Sequence, residues 1–452
     1  MARTGLPRAL PGWLRKARRI PPPGLLAIVY AALILAGTVL LKLPVAHDVP
    51  LSWFESLFTA VSAVTVTGLA VVDPGITFSA FGEVVLAVLM QLGGLGLMTF
   101  AVMVLSALGF RIRLSHQIVL REDLGQASLH QLGRLSRLVL FIAVACELAG
   151  AAALAFVFVP EFGWAKGLWH ALFHAISAFN NAGIQLYSDG LSQWVGSPVV
   201  NITIPALFML GGIGFVVIAD VANKRRWRPL SLHSKLMLIG TAGLTLIMLV
   251  VILTFEWSNP YTLGALGSPV DRLWAAWFQA VTPRTAGFNT IDISHLHDST
   301  TLVMILMMMI GGGSTSTAGG IKVTTILVAA LATVAFFKRR DSLHIFGRSL
   351  GVEEVMKAMA LTTISLIVVS TALFVITMSH DGDFLDLAFE VASAFGTVGL
   401  SRGTTVDLDT MGRIVIMAVM FVGRVGPLTL GFFLATRGVP RVKYPPGQVF
   451  LG

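Results

Sequence analysis

Four glycines that recur in one setting are the residues of this chain best suited to chemistry. The segments are F-T-A-V-S-A-V-T-V-T-G-L from Phe58 to Leu69, F-H-A-I-S-A-F-N-N-A-G-I from Phe173 to Ile184, F-Q-A-V-T-P-R-T-A-G-F from Phe278 to Phe288, and F-E-V-A-S-A-F-G-T-V-G-L from Phe389 to Leu400. In three copies the Phe stands ten residues before the Gly and a Ser-Ala pair lies between; the third copy is one residue shorter and has Thr282-Pro283 instead. Gly68, Gly183, Gly287 and Gly399 are spaced by 115, 104 and 112 residues, so one unit is used four times. Glycine takes φ of either sign and keeps side chains out of a narrow passage. The peptide oxygens before it can then face one axis and replace the water of a dehydrated cation, as four symmetry-related loops do for potassium in channels. The candidate ion ligands are Val66, Thr67 and Gly68; Asn181, Ala182 and Gly183; Thr285, Ala286 and Gly287; and Thr397, Val398 and Gly399, with K+ as the ion held.

Such loops need a scaffold, and the composition says what kind. Hydrophobic residues make up 55% of 452 and charged ones 12%, too little charge to cover a water-exposed surface. The chain reads as an all-α membrane protein. Apolar stretches of spanning length fall at 24–44, 82–109, 134–159, 198–222, 235–256, 300–336, 354–378 and 411–436, eight in all. The glycine segments lie between members of successive pairs and are too short to span. They read as re-entrant half-helices whose partially negative C-terminal ends face the membrane centre and favour a cation. The expected architecture is four M1–pore loop–M2 repeats with pseudo-fourfold symmetry around one pore. A basic cytoplasmic N-terminus covers 1–23, the repeats cover 24–109, 134–222, 235–336 and 354–436, and a cytoplasmic C-terminus covers 437–452.

Of 32 Lys and Arg, 24 fall in five tracts: before residue 24, at 111–137, 224–235 and 338–357, and after 436. The alternate connections hold only Lys42, Lys166, Arg272, Arg284, Arg402 and Arg413. This positive-inside alternation puts both termini in the cytoplasm of a multi-pass plasma-membrane protein in a lipid bilayer. It leaves no basic domain for nucleic acid. Cys146 stands alone, so no disulfide framework is present, and the first apolar run lacks a cleavage site and reads as a retained span.

The run 300–336 is too long for one straight helix. Its middle, Gly311, Gly312, Gly313, Ser314, Thr315, Ser316, Thr317, Ala318, Gly319, Gly320, Ile321 and Lys322, will not hold a helix in lipid. It must face protein or a pore, and below a filter it could act as a gate; a passive kink is the alternative. Lys322 would repel ions there or reach the inner interface. Arg424, in the last run, is an intramembrane cation that either lines the pore and holds the gate loop or locks two helices. Arg284 would brace the third loop. Asp73, Asp189, Asp292 and Asp407 follow the glycines by 5, 6, 5 and 8 residues. They could gather cations at an outer mouth or cap turns. His170, His174, His233, His295 and His297 are too scattered for a metal site. G-G-L-G at 93–96 and G-G-I-G at 211–214 sit in apolar runs and read as packing glycines inside helices, not phosphate loops.

T-V-T-G-L (65–69), N-N-A-G-I (180–184), R-T-A-G-F-N (284–289), G-T-V-G-L-S (396–401), G-G-S-T-S-T-A-G-G-I-K (312–322) and G-R-V-G-P-L-T-L (423–430) together resemble the Trk/Ktr/HKT superfamily of potassium transporters, on its Ktr branch. The resemblance covers nearly the whole chain. It implies a homodimer with one pore per protomer and a cytosolic, KtrA-like regulatory ring that carries the nucleotide sites. It also implies sodium stimulation, so Na+ joins K+ among the ions, and potassium selectivity from Gly in all four loops. A rival reading is a secondary transporter with alternating access around broken helices; repeats of one orientation favour a pore. An intramembrane enzyme would need a nucleophile–base pair or metal cluster, and none is readable.

Overall fold

An apolar run in lipid must satisfy its backbone internally, which makes it helical. The chain, described here by a computed structural model, is characterised over residues 22–95, 132–339 and 343–426. The basic N-terminus up to residue 21, residues 96–131 and 340–342, and everything after 426, including the C-terminal tail, lie outside the described residues.

The first unit contains α1 (Pro22–Leu41), α2 (Trp53–Thr65), the single turn α3 (Pro74–Thr77) and α4 (Ala80–Gly94). The second contains α5 (Leu132–Phe162), α6 (Trp164–Phe179), α7 (Pro198–Ile213) and α8 (Phe215–Lys224). The third contains α9 (Leu232–Phe255), α10 (Pro269–Val281), α11 (Asp298–Met309) and α12 (Val323–Phe337). A hairpin of β1 (Leu343–Ile345) and β2 (Arg348–Leu350), with Leu343 opposite Leu350, leads to the fourth. That unit contains α13 (Val352–Ser379), α14 (Phe384–Gly396), the turn α15 (Thr404–Asp407) and α16 (Thr410–Val425).

Among the described residues, three helices are long and apolar enough to cross a membrane: Arg137–Phe162 within α5, α9 and α13. The run expected at 198–222 is not straight. It bends by 96° between α7 and α8 at Gly214, whose φ of 103° no helix accommodates. Of G-G-I-G, Gly211, Gly212 and Ile213 close helix α7 as packing residues, and Gly214 alone is a hinge rather than helix. The run 300–336 likewise splits into α11 and α12, and both are short apolar helices, as are α4 and the 27–41 part of α1. Runs 82–109 and 411–436 leave the described residues partway.

The four short helices α2, α6, α10 and α14 form the centre. Phe58, Phe173, Phe278 and Phe389, the first conserved spacing mark of each segment, are all fully buried. α2 starts at a reciprocal cap, in which Ser52 and Glu55 each bond the other's backbone N–H; Ser268 caps α10 and Asp383 caps α14. The first and fourth units share one apolar core, in which Phe58, Leu86, Phe395 and Met420 pack.

Candidate ion-binding site

Each short helix ends in a loop of the same backbone form. The residue two before the glycine is left-handed: Val66 (φ 50°), Asn181 (57°), Thr285 (69°) and Thr397 (50°). The glycine itself has φ 91°, 65°, 76° and 94° at Gly68, Gly183, Gly287 and Gly399. A left-handed β-branched residue costs on the order of 1–3 kcal/mol and persists only when its surroundings impose it. Here the imposing bonds are alike in all four loops. The amide between the two left-handed residues donates back into the helix: Thr67 N to Ser62 O (2.9 Å), Ala182 N to Ser177 O (2.8 Å), Ala286 N to Thr282 O (3.1 Å) and Val398 N to Ser393 O (2.8 Å).

The loops also abut one another in a closed cycle. A methyl group built on Gly68 would stand 2.5 Å from the Ala182 carbonyl oxygen, and one on Gly183 would stand 2.9 Å from that of Ala286. One on Gly287 would overlap the Val398 oxygen, and one on Gly399 would overlap the Thr67 oxygen. The twelve candidate ligands are thus brought together, and most are buried; Gly68 and Gly399 are half-buried.

Sequence reasoning missed what backs this cycle. A methyl on Gly93 of α4, Gly211 of α7 or Gly423 of α16 would overlap the carbonyl of Val64, Phe179 or Phe395, each four residues before its loop glycine. The available signal was the second recurring string, G-G-L-G, G-G-I-G, G-G-G-S and G-R-V-G, at 93–96, 211–214, 311–314 and 423–426. The residue after each segment's Phe was missed as well. His174 accepts from Leu186 N (3.4 Å), and Glu390 accepts from Arg402 N (2.9 Å), Ser401 Oγ (2.6 Å) and Thr405 Oγ1. Both amides lie three residues past their glycines.

Residues 311–322 lie against the second and fourth loops. Gly313 N donates to Gly212 O (2.8 Å) and Thr317 N to Gly211 O (3.2 Å), while Thr317 Oγ1 donates to Asn181 Oδ1 (2.7 Å). A methyl on Gly319 would overlap the Thr397 side chain. Within the segment, Lys322 Nζ donates to Ala318 O (2.7 Å). Arg424 donates to Thr317 O, to Gly93 O, to Gly94 O (3.0 Å) and to Tyr30 Oη (3.3 Å). It therefore ties this segment to the first unit. Arg284 bonds Thr241 O and Oγ1, both at 3.4 Å, and lines a small cavity with Gly212 and Gly312.

The four aspartates occupy different settings. Asp73 caps α3, accepting from Gly75 N (2.9 Å) and Ile76 N (3.3 Å). Asp292 closes a local turn with Ser294 and His295. Asp189 and Asp407 are exposed. Burial raises the Asp292 pKa somewhat, but bonds from Ser294 and His295 outweigh it and hold the carboxyl below the usual carboxylate range.

A family model described as TrkH, cation transport protein, matches residues 23–437. The chain belongs to the TrkH cation transport family. Within it, the chain is 46% identical to Ktr system potassium uptake protein B of Bacillus subtilis, over 96% of this chain and 97% of that one. It is 41% identical to the protein of the same description from Vibrio alginolyticus, over 95% of each. Potassium/sodium uptake protein NtpJ of Enterococcus hirae is 37% identical, over 97% of this chain and 99% of that one. The crystal structure of the potassium transporter TrkH from Vibrio parahaemolyticus aligns with a TM-score of 0.71 at 19% identity, covering 90% of this chain and 83% of that one. At that identity the likeness speaks for the fold alone.

Proposed function

We propose that the chain is the membrane subunit of a potassium uptake system of the Ktr type. The cycle of four glycine loops surrounds one pore, and the oxygens of Val66–Gly68, Asn181–Gly183, Thr285–Gly287 and Thr397–Gly399 take the place of water around K+. The four units act as pseudo-fourfold repeats, 24–109, 134–222, 235–336 and 354–436, with both termini cytoplasmic. The observation that carries the reading is the closed cycle, in which each loop's glycine meets the carbonyl before the next one's. The names of the relatives at 46% and 41% identity support potassium as the ion, and the printed name of NtpJ supports an effect of sodium.

Residues 311–322 act as a gate beneath the loops, held shut by Arg424 and Thr317 and released under control of a cytosolic nucleotide-binding ring. The subunit works as a homodimer. The outer aspartates, above all the exposed Asp189 and Asp407, raise cation concentration at the mouth.

The test is uptake of 86Rb+ in cells lacking their own potassium uptake, with Na+ as competitor. Gly68→Ser puts a side chain against the Ala182 carbonyl, and potassium-over-sodium selectivity is expected to fall by about tenfold. An unchanged ratio at normal protein levels would refute the filter assignment.

A further inference from the structure

Among the described residues, the second loop has a support that the other three lack. Helix α5 buries a stripe made of Val139, Ala143, Glu147, Gly150, Leu154 and Phe158, spaced three to four residues apart as one helix face. Glu147 is the one charged residue in it, 6% exposed, while Leu148 beside it faces outward. A carboxylate in the middle of an apolar span is expensive and tends to carry function. Among the described residues no Lys, Arg or His forms an ion pair with it.

What Glu147 meets instead is Asn180, the residue just before the candidate ligands of loop two. The Asn180 side-chain amide donates to Glu147 Oε1 (3.2 Å), to Gln91 Oε1 of α4 (2.7 Å) and to Ile176 O (2.9 Å). Asn180 is fully buried, its Oδ1 has no hydrogen-bond partner, and a methyl on Gly94 would overlap that oxygen. Three acceptors therefore converge on one NH2 group, fixing the amide from three helices. The next residue, Asn181, donates from Nδ2 to Thr285 Oγ1 of the third loop (3.1 Å) and accepts from Thr317 of the gate segment. At the matching position the first loop has Thr65, which bonds its own helix at Val61 O (2.7 Å) and its own loop at Thr67 Oγ1 (2.7 Å), with no neighbouring helix involved. The fourth has Gly396, with no side chain, and the third has Arg284 on Thr241.

Resting on the filter reading, we infer that Glu147 is a positioning residue for the second loop. It and Gln91 hold the Asn180 amide, and through it the carbonyls of Asn181–Gly183, so that a side chain on an outer helix sets cation selectivity without touching the ion. What the position requires is an acceptor, not a charge.

The experiment compares Glu147→Leu, Glu147→Gln and Gln91→Leu in the full chain by 86Rb+ uptake against K+ and Na+. Each flux is normalised to the amount of protein in the membrane. Glu147→Leu is expected to raise the K+ concentration for half-maximal uptake by about tenfold and to lower K+/Na+ selectivity, with maximal flux little changed. Glu147→Gln keeps an acceptor and stays within about twofold of the parent. Gln91→Leu, on another helix, shifts selectivity the same way by a smaller factor and serves if Glu147→Leu does not reach the membrane. Adding Glu147→Leu to Asn180→Ala changes nothing further, because the group it holds is already gone. The inference is overturned if Glu147→Leu lowers flux only in step with protein level. It is overturned equally if Glu147→Gln is as impaired as Glu147→Leu, or if the Asn180→Ala and Glu147→Leu effects add. Gly68→Ser run in parallel separates the failures: if it alters selectivity while the Glu147 variants do not, only this inference falls. If it too leaves selectivity unaltered, the filter reading falls.

Discussion

Loops one and four are braced differently from loops two and three, although their backbones share one form. In the first pair the helix serine accepts from the glycine amide: Ser62 Oγ from Gly68 N (3.0 Å) and Ser393 Oγ from Gly399 N (3.1 Å). In the second pair the equivalent hydroxyl donates to the carbonyl after the glycine: Ser177 to Ile184 O (2.8 Å) and Thr282 to Phe288 O (2.5 Å). Loops two and three are also stapled together by side chains, Asn181 donating to Thr285 and Gln185 Nε2 to Asn289 Oδ1 (3.2 Å), and by one backbone bond from Leu191 N to Asn289 O (2.9 Å). Among the described residues no side-chain hydrogen bond is recorded between loops one and four. Their junction depends on backbone meeting backbone, so it is held by space that a substitution can only invade, whereas the junction of loops two and three is held by chemistry that a substitution can remove.

The largest effect follows from the junction of loops four and one. Gly399→Ala forces a methyl onto the Thr67 carbonyl at a φ of 94°, and 86Rb+ uptake should fall at least a hundredfold, about 3 kcal/mol by the loss of that geometry. Gly183→Ala, at 2.9 Å from its neighbour, should lose about tenfold less; equal losses would erase the distinction between the halves. Next comes Asn181→Ala, which cuts the tie to Thr285 and the one to Thr317 together. Selectivity should fall by roughly tenfold, and resting flux should rise; a change in neither would mean that the second loop and residues 311–322 are independent.

Smaller still is the contrast of Ser62→Ala with Ser177→Ala. The first strands the half-buried Gly68 N–H and should destabilise by about 1–2 kcal/mol, while the second leaves a carbonyl short of one bond and should cost about 1 kcal/mol or less. Thermal unfolding in detergent reads the order, and the reverse order would contradict the bracing described. The smallest effect is at the mouth. Because bonds from Ser294 and His295 keep the Asp292 pKa low, its contribution is fully present above the ordinary carboxylate range and is lost only as pH falls through the depressed value. Asp292→Asn should therefore lower uptake by less than about twofold at pH 7, and only at low salt; a larger loss would give that carboxylate a direct part in conduction.

The four glycine loops were legible because Phe58, Phe173, Phe278 and Phe389 and the four glycines fall at nearly fixed spacing, and spacing is what a sequence records directly. The bend at Gly214 was not, since G-G-I-G inside an apolar run is equally good as close packing between helices. Periodicity could not tell that Arg424 would meet Thr317, Gly93, Gly94 and Tyr30, contacts that join distant parts of the chain. Glu147 was passed over in the sequence although it is an acid in an apolar span, and its partner Asn180, on another helix, could not be read from spacing. The aspartates followed local rules instead: Asp73 and Asp292 are engaged by the nearest backbone, as their turn positions dictate.

The contact between Gly399 and Thr67 joins the last unit of the chain to the first. During synthesis the first loop is therefore finished long before its neighbour exists, and its left-handed Val66 must wait without the surface that will hold it. A ribosome that stops short of the fourth unit releases not a weaker conduit but an open horseshoe with two raw ends. Until Gly399 reaches Thr67 the cycle of loops stays open at that junction, so it is closed only by the last element of the chain to be made.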